Sequence, residues 1–248
     1  MKSLTTHISQ VKNLHSLNEY IAEKLVINQQ FDEKLIVNQR FDEKLIINKS
    51  FKDNTIKVVS KQQLGGIIYK RLAENPEELY LNDLDVSSIK DFSGIFSSYI
   101  FRELIKTKKI YIDEWNTESA KNMNSMFQSC KNLKEVDVSN FDVSNVTSME
   151  YMFRKCKSLK ELDLTNWKVN NVRDMEKMFY QCESLKTIGN VSKWEPESLI
   201  MFDNAFNGCK NLKNVDTSKW SDHFLNDVSS TDAFNDCTYI QIPDWAER

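Results

Sequence analysis

The chain has 248 residues, 40% of them hydrophobic and 28% charged, and its formal net charge at pH 7 is −3. This length and apolar content predict one or two domains with a real hydrophobic core. The near-neutral charge supplies no basic field for nucleic acid, and the basic run at 106–109 is too short to do so. No apolar stretch approaches the ~20 residues of a membrane span, and residues 1–20 lack the apolar core of a signal peptide.

Residues 1–54 are predicted to hold a short helix and a ten-residue repeat. Residues 16–25 have the apolar spacing of an amphipathic helix. The repeat has the sequences KLVINQQFDE, KLIVNQRFDE and KLIINKSFKD, which start at Lys24, Lys34 and Lys44. Its three-residue apolar runs favour short strands, whereas the four-residue spacing of Phe31 and Leu35 favours a helix, so both interpretations stay open.

Residues 55–78 are predicted to form a strand and a helix that cap the segment after them. The strand is expected at 56–59. Ser60 and Gln63 have the spacing of a capping box, which predicts a helix start, and Pro76 predicts the helix end. The apolar stripe of this helix consists of Leu64, Ile67, Ile68 and Leu72.

Residues 79–248 consist of about six similar units, and the last five follow one another at steps of 26 to 28 residues. One column of the repeat contains Cys130, Cys156, Cys182, Cys209 and Cys237. A second contains Phe127, Phe153, Phe179, Phe206 and Phe234, and a third contains Trp115, Phe141, Trp167, Trp194 and Trp220. Residues 84–96 form an earlier, divergent unit. A period of this length predicts a solenoid, in which each unit buries its apolar face against its neighbours.

Each unit is predicted to be a strand, a turn and a short helix. Val136 and Val138 should point inward and Asp137 outward, because side chains alternate along a strand. After the turn, the apolar residues Val146, Met149, Met152 and Phe153 follow helical spacing. The fold class is therefore α/β, a solenoid of short parallel strands and short helices. The odd number of cysteines in one column predicts buried thiols and a reducing compartment.

The outward column of the strands is the candidate binding face. It contains Tyr80, Tyr111, Asp137, Asp163 and Asp216, with Lys134, Lys160, Lys186 and Lys213 just before it. Two interpretations stay open: a mixed-charge surface that binds a ligand, or lysines that neutralise stacked aspartates and keep the sheet soluble. A calcium ladder would need a second carboxylate column. The histidines are scattered and no catalytic motif is present, which predicts a non-enzymatic protein without metal or cofactor.

The strings WNTESAKNMNSMF, FDVSNVTSMEYMF and WKVNNVRDMEKMF, each followed by xxCxxL, closely resemble the BspA-like leucine-rich-repeat family. This bacterial surface-protein repeat is also catalogued as a domain of unknown function. The resemblance covers residues 79–242 and implies a right-handed solenoid with roles in binding and adhesion. Family members are often exported to the cell surface. The phrase SLNEYIAEKLVIN resembles the opening of proteins from phages of gut bacteria.

These observations predict a protein that binds a protein or glycan ligand through the strand side of the solenoid. Residues 1–54 would then serve for attachment or for assembly into a homo-oligomer or larger particle. The alternative is a structural component of a phage virion or its assembly, docked through the N-terminal repeats. Because no signal peptide is seen, we expect a cytoplasmic or virion-associated location.

Overall fold

The computed structural model describes residues 36–41, 43–49, 55–213, 215–217, 220 and 228–240, with backbone alone for 36–49. The helix predicted at 16–25 and the first ten-residue repeat lie outside these residues. No described helix combines the length and apolar character needed to cross a membrane.

The second and third ten-residue repeats contribute strands β1 (Ile36–Phe41) and β2 (Glu43–Lys49), which pair antiparallel. β2 continues antiparallel onto β3 (Ile56–Lys57), and β3 lies parallel to β5 (Leu84–Asp85). Of the two interpretations of these repeats, the strand is the one that these residues adopt. This four-stranded sheet joins the N-terminal repeats to the first unit of the long repeat.

Helix α1 (Lys61–Glu74) begins where the capping box predicts. The Gln63 N–H donates to Ser60 Oγ at 3.1 Å, which satisfies one of the unpaired amides of the first turn. The guanidinium of Arg71 binds both carboxylate oxygens of Asp83, at 2.6 and 2.7 Å. Asp83 directly precedes β5. This bidentate ion pair therefore holds α1 against the first long repeat.

A second sheet contains the parallel strands β4 (Glu78–Tyr80), β6 (Lys109–Tyr111) and β7 (Glu135–Val136), with a 3₁₀ turn at Arg102–Ile105 before β6. In the later repeats the row continues as single parallel bridges, from Glu161 to Thr187 and from Lys213 to Tyr239. Successive repeats therefore lie side by side and in parallel along this row.

The predicted alternation along the strand of each repeat is present. Val136 and Val138 are buried and Asp137 is exposed. The two valines contribute apolar area to the core, at about 25 cal/mol per Å² removed from water, while the carboxylate keeps its solvation.

The short helix predicted from Val146 to Phe153 is not formed. Residues 149–155 are instead a series of tight turns, and we call this segment, with its equivalents in the other repeats, the turn ribbon. Tyr151 has a φ of 58°, so every second amide points sideways out of the ribbon. The Phe153 N–H donates to the carbonyl of Met178 in the next repeat at 2.8 Å. The Met152 and Arg154 N–H groups close turns onto the carbonyls of Met149 and Tyr151, so these amides are satisfied without a helix.

A stack of phenylalanine rings runs through the core. Neighbouring rings have centroids 5.0–5.6 Å apart and interplanar angles of 4–13°. The stack contains Phe96, Phe127, Phe153, Phe179, Phe206 and Phe234. One ring per repeat at one register position explains the phenylalanine column, because each ring buries both faces against its neighbours.

The cysteine column lies beside this stack. All five thiols are free, four are buried and Cys237 is half-buried. Each thiol donates to the carbonyl of the stacked phenylalanine of the preceding repeat, at 2.9–3.2 Å. The indole N–H groups of Trp115, Trp167 and Trp194 likewise donate to carbonyls of the preceding repeat. The thiols and these three indoles thus combine an apolar body with a single donor for a buried carbonyl.

Candidate binding face on the strand side

An open groove of about 1050 Å³ runs along the strand row. It crosses four repeats, from β6 to the segment at 187–189. Its lining consists of Lys109, Ile110, Tyr111, Asp113, Lys134, Glu135, Val136, Asp137, Ser139, Lys160, Glu161, Leu162, Asp163, Thr187 and Gly189. The strands position Glu135 and Asp137 on this side, because side chains alternate along a strand and these two point away from the core.

Five of the residues that the sequence predicted for a binding face line this groove together. They are Tyr111, Lys134, Asp137, Lys160 and Asp163. A sixth predicted residue, Tyr80, is exposed and contacts the Tyr111 ring, with centroids 5.4 Å apart.

The remaining predicted residues, Lys186, Lys213 and Asp216, do not line the groove, although all three are exposed. Lys186 and Lys213 continue the lysine row, because the Lys186 N–H donates to the Lys160 carbonyl and the Lys213 N–H to the Lys186 carbonyl. The Lys213 ammonium lies 5.0 Å from the centre of the Tyr239 ring.

The two aspartates of the groove also build its turns. Asp137 Oδ1 accepts hydrogen bonds from the Ser139 N–H at 2.9 Å and the Ser139 hydroxyl at 2.7 Å. Asp163 Oδ1 accepts from the Thr165 N–H at 3.1 Å. Hydrogen bonds from the Thr165 hydroxyl and amide lower the pKa of Asp163. Within the described residues both hydrogen bonds to Asp137 reach Oδ1, so Oδ2 of Asp137 remains available to a ligand.

The lysines do not pair with these aspartates. At the start of the groove Lys109 pairs with Glu135 at 2.7 Å, and the hydrogen bond raises the pKa of Lys109 and lowers that of Glu135. Lys134, Lys160 and Lys186 form no ion pair with any described residue. No ion pair therefore joins the lysine row to the aspartates, and both interpretations of the charged rows stay open.

Gly189 marks the one repeat in which the outward column has no side chain. Its φ is +80°, and a Cβ there would lie 2.5 Å from Asp163 Oδ1 and 2.7 Å from Thr165 Oγ1. The aspartate turn of the preceding repeat thus occupies the space that a side chain would need. Glycine at this position explains the missing aspartate and leaves this end of the groove open.

Several groove residues were not singled out from the sequence, among them Glu135, Glu161 and Thr187. Glu135 and Glu161 lie two positions before Asp137 and Asp163, so the same alternation would have identified them. Among the described residues no group of three or more metal-ligating side chains is arranged to hold an ion. The groups present can hold a ligand through ion pairs, hydrogen bonds and ring contacts.

Comparison with curated proteins and with solved structures found no match. A family model described as "Mycoplasma protein of unknown function, DUF285" matches residues 70–188 and residues 97–220. The two matches overlap and together include the groove and the turn ribbons of most repeats. Because they cover more than half of the chain, the chain belongs to the DUF285 family.

Proposed function

We propose that this chain is a non-enzymatic binding protein of the BspA-like leucine-rich-repeat kind, a right-handed solenoid that holds a protein or glycan ligand in the strand-side groove. The observation that carries the proposal is the set of unpaired charges along the groove. Lys134 and Lys160 lack ion-pair partners among the described residues, and Asp137 keeps one oxygen unused there.

The dimensions suit an extended ligand. The groove crosses four repeats, and a strand spacing of ~4.8 Å gives it a length of roughly 14 Å. This length accommodates about four residues of an extended peptide at ~3.3 Å each. Tyr80 and Tyr111 at one end add a ring surface, which suits a sugar face or an apolar side chain.

Residues 1–54 are the proposed attachment or oligomerisation segment. The pairing of β2 with β3 supports this, because it connects the N-terminal repeats directly to the first long repeat. A cytoplasmic or virion-associated location, and the alternative of a virion component, stay predictions from the sequence.

The test is a search for ligands with the full-length chain on an oligosaccharide array and a displayed peptide library. Each hit is then titrated against the double variant Lys134→Glu, Lys160→Glu and the double variant Asp137→Asn, Asp163→Asn. Asparagine retains the Oδ1 that forms the turn, so the second variant removes charge with little change to the fold. If each removed contact makes the free energy of binding about 1.4 kcal/mol less favourable, the affinity falls about tenfold per contact.

The matched control for the lysine variant is Lys168→Glu with Lys193→Glu, which changes the net charge by the same amount outside the groove. Binding that is weakened by the groove variants and retained by the control supports the proposal. If neither library yields a ligand, or if the groove variants bind every ligand as well as the unchanged protein does, the proposal is wrong.

A further inference from the structure

A recess of about 410 Å³ lies on the turn ribbons of the first two units, away from the strand-side groove. Its lining includes Ser97, Tyr99, Asn122, Ser125 and Gln128. None of the residues that line it also lines the groove. Sites for small molecules have volumes of about 300–1,000 Å³, so the recess is large enough to hold one.

The recess is open because the side chains are small at one position of the ribbon. The residue two places before each stacked phenylalanine has a positive φ, between 52° and 64°. In later repeats this residue is Tyr151 or Lys177, whereas in the first two units it is Gly94 and Ser125, which both line the recess. A Cβ at Gly94 would lie 2.7 Å from Ile100 Cδ1, so glycine leaves room for that side chain against the ribbon.

Two exposed apolar side chains contribute to the lining. Tyr99 lies three residues after Phe96, at the spacing of the buried cysteines, yet it is 65% exposed, and Ile100 is 61% exposed. The N–H groups of Ile100 and Phe101 both donate to the Ser97 carbonyl at 2.9 Å, so the chain turns here and does not continue as in the later repeats. Exposure of this apolar surface to water is unfavourable, and a ligand in the recess would cover part of it.

The other lining side chains are amides and hydroxyls with unused hydrogen-bonding capacity. Asn122 Oδ1 accepts from the Asn124 N–H at 2.9 Å, but Asn122 Nδ2 has no partner in the described part of the chain. The side-chain amide of Gln128 has none there either. Ser97 Oγ accepts from the Tyr99 N–H at 3.3 Å and can still donate its own proton. The recess therefore offers both donors and acceptors.

The recess has no unpaired charge. Among the residues that line it only Lys61 is charged. Its ammonium group pairs with Asp91 Oδ2 at 3.0 Å and donates to Ser93 Oγ at 2.5 Å. A charged ligand would have to compete with this existing pair, whereas a neutral ligand would leave it intact.

We propose that this recess binds a neutral sugar residue. The amides of Asn122 and Gln128 and the Ser97 hydroxyl would exchange hydrogen bonds with the sugar hydroxyls, since each hydroxyl both donates and accepts. Tyr99 and Ile100 would contact the C–H groups of the sugar ring. An apolar side chain of a protein would satisfy only the second set of groups and leave the amides without partners.

This site is independent of the strand-side function, because the two share no residue. Failure of either proposal leaves the other standing. A glycan bound here would approach the turn ribbons, whereas the groove ligand would approach the strands.

The experiment titrates the isotope-labelled full-length chain with the methyl glycosides of glucose, galactose, mannose and N-acetylglucosamine, and follows the backbone amides by NMR. We expect at least one glycoside to produce saturable shifts that are largest at residues 97–100 and 122–128. Shifts that grow linearly with every glycoside, or that are largest elsewhere, overturn the proposal.

Three further probes test the chemistry of the ligand. Methyl glucuronide carries a negative charge, N-acetylglycinamide represents a peptide, and glycerol has hydroxyls without a ring. We expect each of them to bind more weakly than the best glycoside. Tighter binding of the glucuronide contradicts a neutral ligand, and equal binding of N-acetylglycinamide or glycerol contradicts a site for sugars.

The first variant, Ser125→Tyr, fills the recess. Tyrosine already occupies the equivalent position 151 at a φ of 58°, which is also the φ of Ser125, so the backbone can accept it. The matched control is Asn204→Tyr, at the same position of a later repeat with a φ of 56°. We expect Ser125→Tyr to abolish the saturable shifts and Asn204→Tyr to retain them. Retention in both, or loss in both, contradicts the proposed location.

The second variant, Tyr99→Ala, removes the exposed ring. It should weaken binding of the best glycoside about three- to tenfold, as expected for the loss of one ring contact. The matched control is Tyr69→Ala, since Tyr69 is 60% exposed on α1 and does not line the recess. Equal binding by the two tyrosine variants would show that the ring has no part in the site. Circular dichroism checks folding, and the Tyr99 variant decides the matter if Ser125→Tyr unfolds.

Discussion

The thiol of Cys156 donates a hydrogen bond to the carbonyl oxygen of Phe127 in the preceding repeat, at 3.1 Å. The same bond recurs at every cysteine of the column, beside the stack of phenylalanine rings. A buried carbonyl, a thiol donor and an aromatic ring thus meet at each junction between repeats. The recurrence explains why cysteine and phenylalanine occur at fixed positions without any disulfide.

We expect Cys156→Ala to lower the free energy of unfolding by about 1–2 kcal/mol, because the substitution removes a donor and leaves a small cavity. The Phe127 carbonyl also accepts the Cys130 N–H at 3.1 Å, which limits the loss. Urea denaturation measures the difference. Cys237→Ala is the matched control and should lose less, since Cys237 is only half-buried. Equal losses at the two positions would contradict this account.

The buried thiols should resist alkylation in the folded protein. Desolvation raises the pKa of Cys130 and Cys182 to about 12, so at pH 8 only about one thiol in ten thousand is a thiolate. We expect Cys237 to react first with iodoacetamide because it is the only one of the five that is half-exposed, and mass spectrometry after a time course gives the order. Fast labelling of Cys130 at pH 8 would show that the site opens readily.

The same thiols predict a loss of stability at alkaline pH. The pKa of each is raised above the ordinary value of 9.0, so folding favours the protonated form. This stabilisation is fully present below pH 9, and it decreases as the pH rises from 9 towards 12, because the unfolded chain then loses protons that the native state keeps. Urea denaturation at pH 8 and pH 10 should show a lower free energy of unfolding at pH 10. The decrease should be smaller in Cys130→Ala.

Phe153→Ala should destabilise the protein by about 3–5 kcal/mol, because the ring is fully buried and stacked on both faces. Thermal or urea denaturation measures the effect. Phe96→Ala is a useful comparison, since that ring stacks on Phe127 at one face and lies 5.7 Å from Trp115 at the other. A loss below about 1 kcal/mol at position 153 would be too small for a cavity in a packed core.

Gly189→Ala should destabilise by about 1–3 kcal/mol, because the new methyl meets Asp163 Oδ1 and the backbone has positive φ. Gly66→Ala is the matched control. Gly66 lies in α1 with nothing within 4 Å of a new Cβ, so alanine there should stabilise by about 0.5–1 kcal/mol. Asp163→Ala should recover part of the loss at Gly189, and the double-mutant cycle by urea denaturation measures the coupling. If the effects of Gly189→Ala and Asp163→Ala on the free energy of unfolding simply add, the contact of the new methyl with Asp163 is not the cause of the destabilisation.

The candidate face could be predicted in part because alternation along a strand is a local property. The sequence predicts that Asp137 and Asp163 point outward, because apolar valine or leucine positions flank each of them. In the structure those flanking residues are buried and both aspartates line the groove. Asp216 follows the same pattern but lies beyond the groove. Where the groove ends depends on the side-chain packing of several repeats, including the contact of Asp163 with Gly189.

The sequence by itself determined the repeat, its columns and the side of each strand that is buried, because residues at one position of a repeat face the same neighbour in the next. Only the tertiary structure decided the conformation of the turn ribbon. The spacing of Met149, Met152 and Phe153 suits a helix and a series of turns alike, and the bond from Phe153 to Met178 in the next repeat selects the turns. Bonds between residues so far apart in the chain have no local signature.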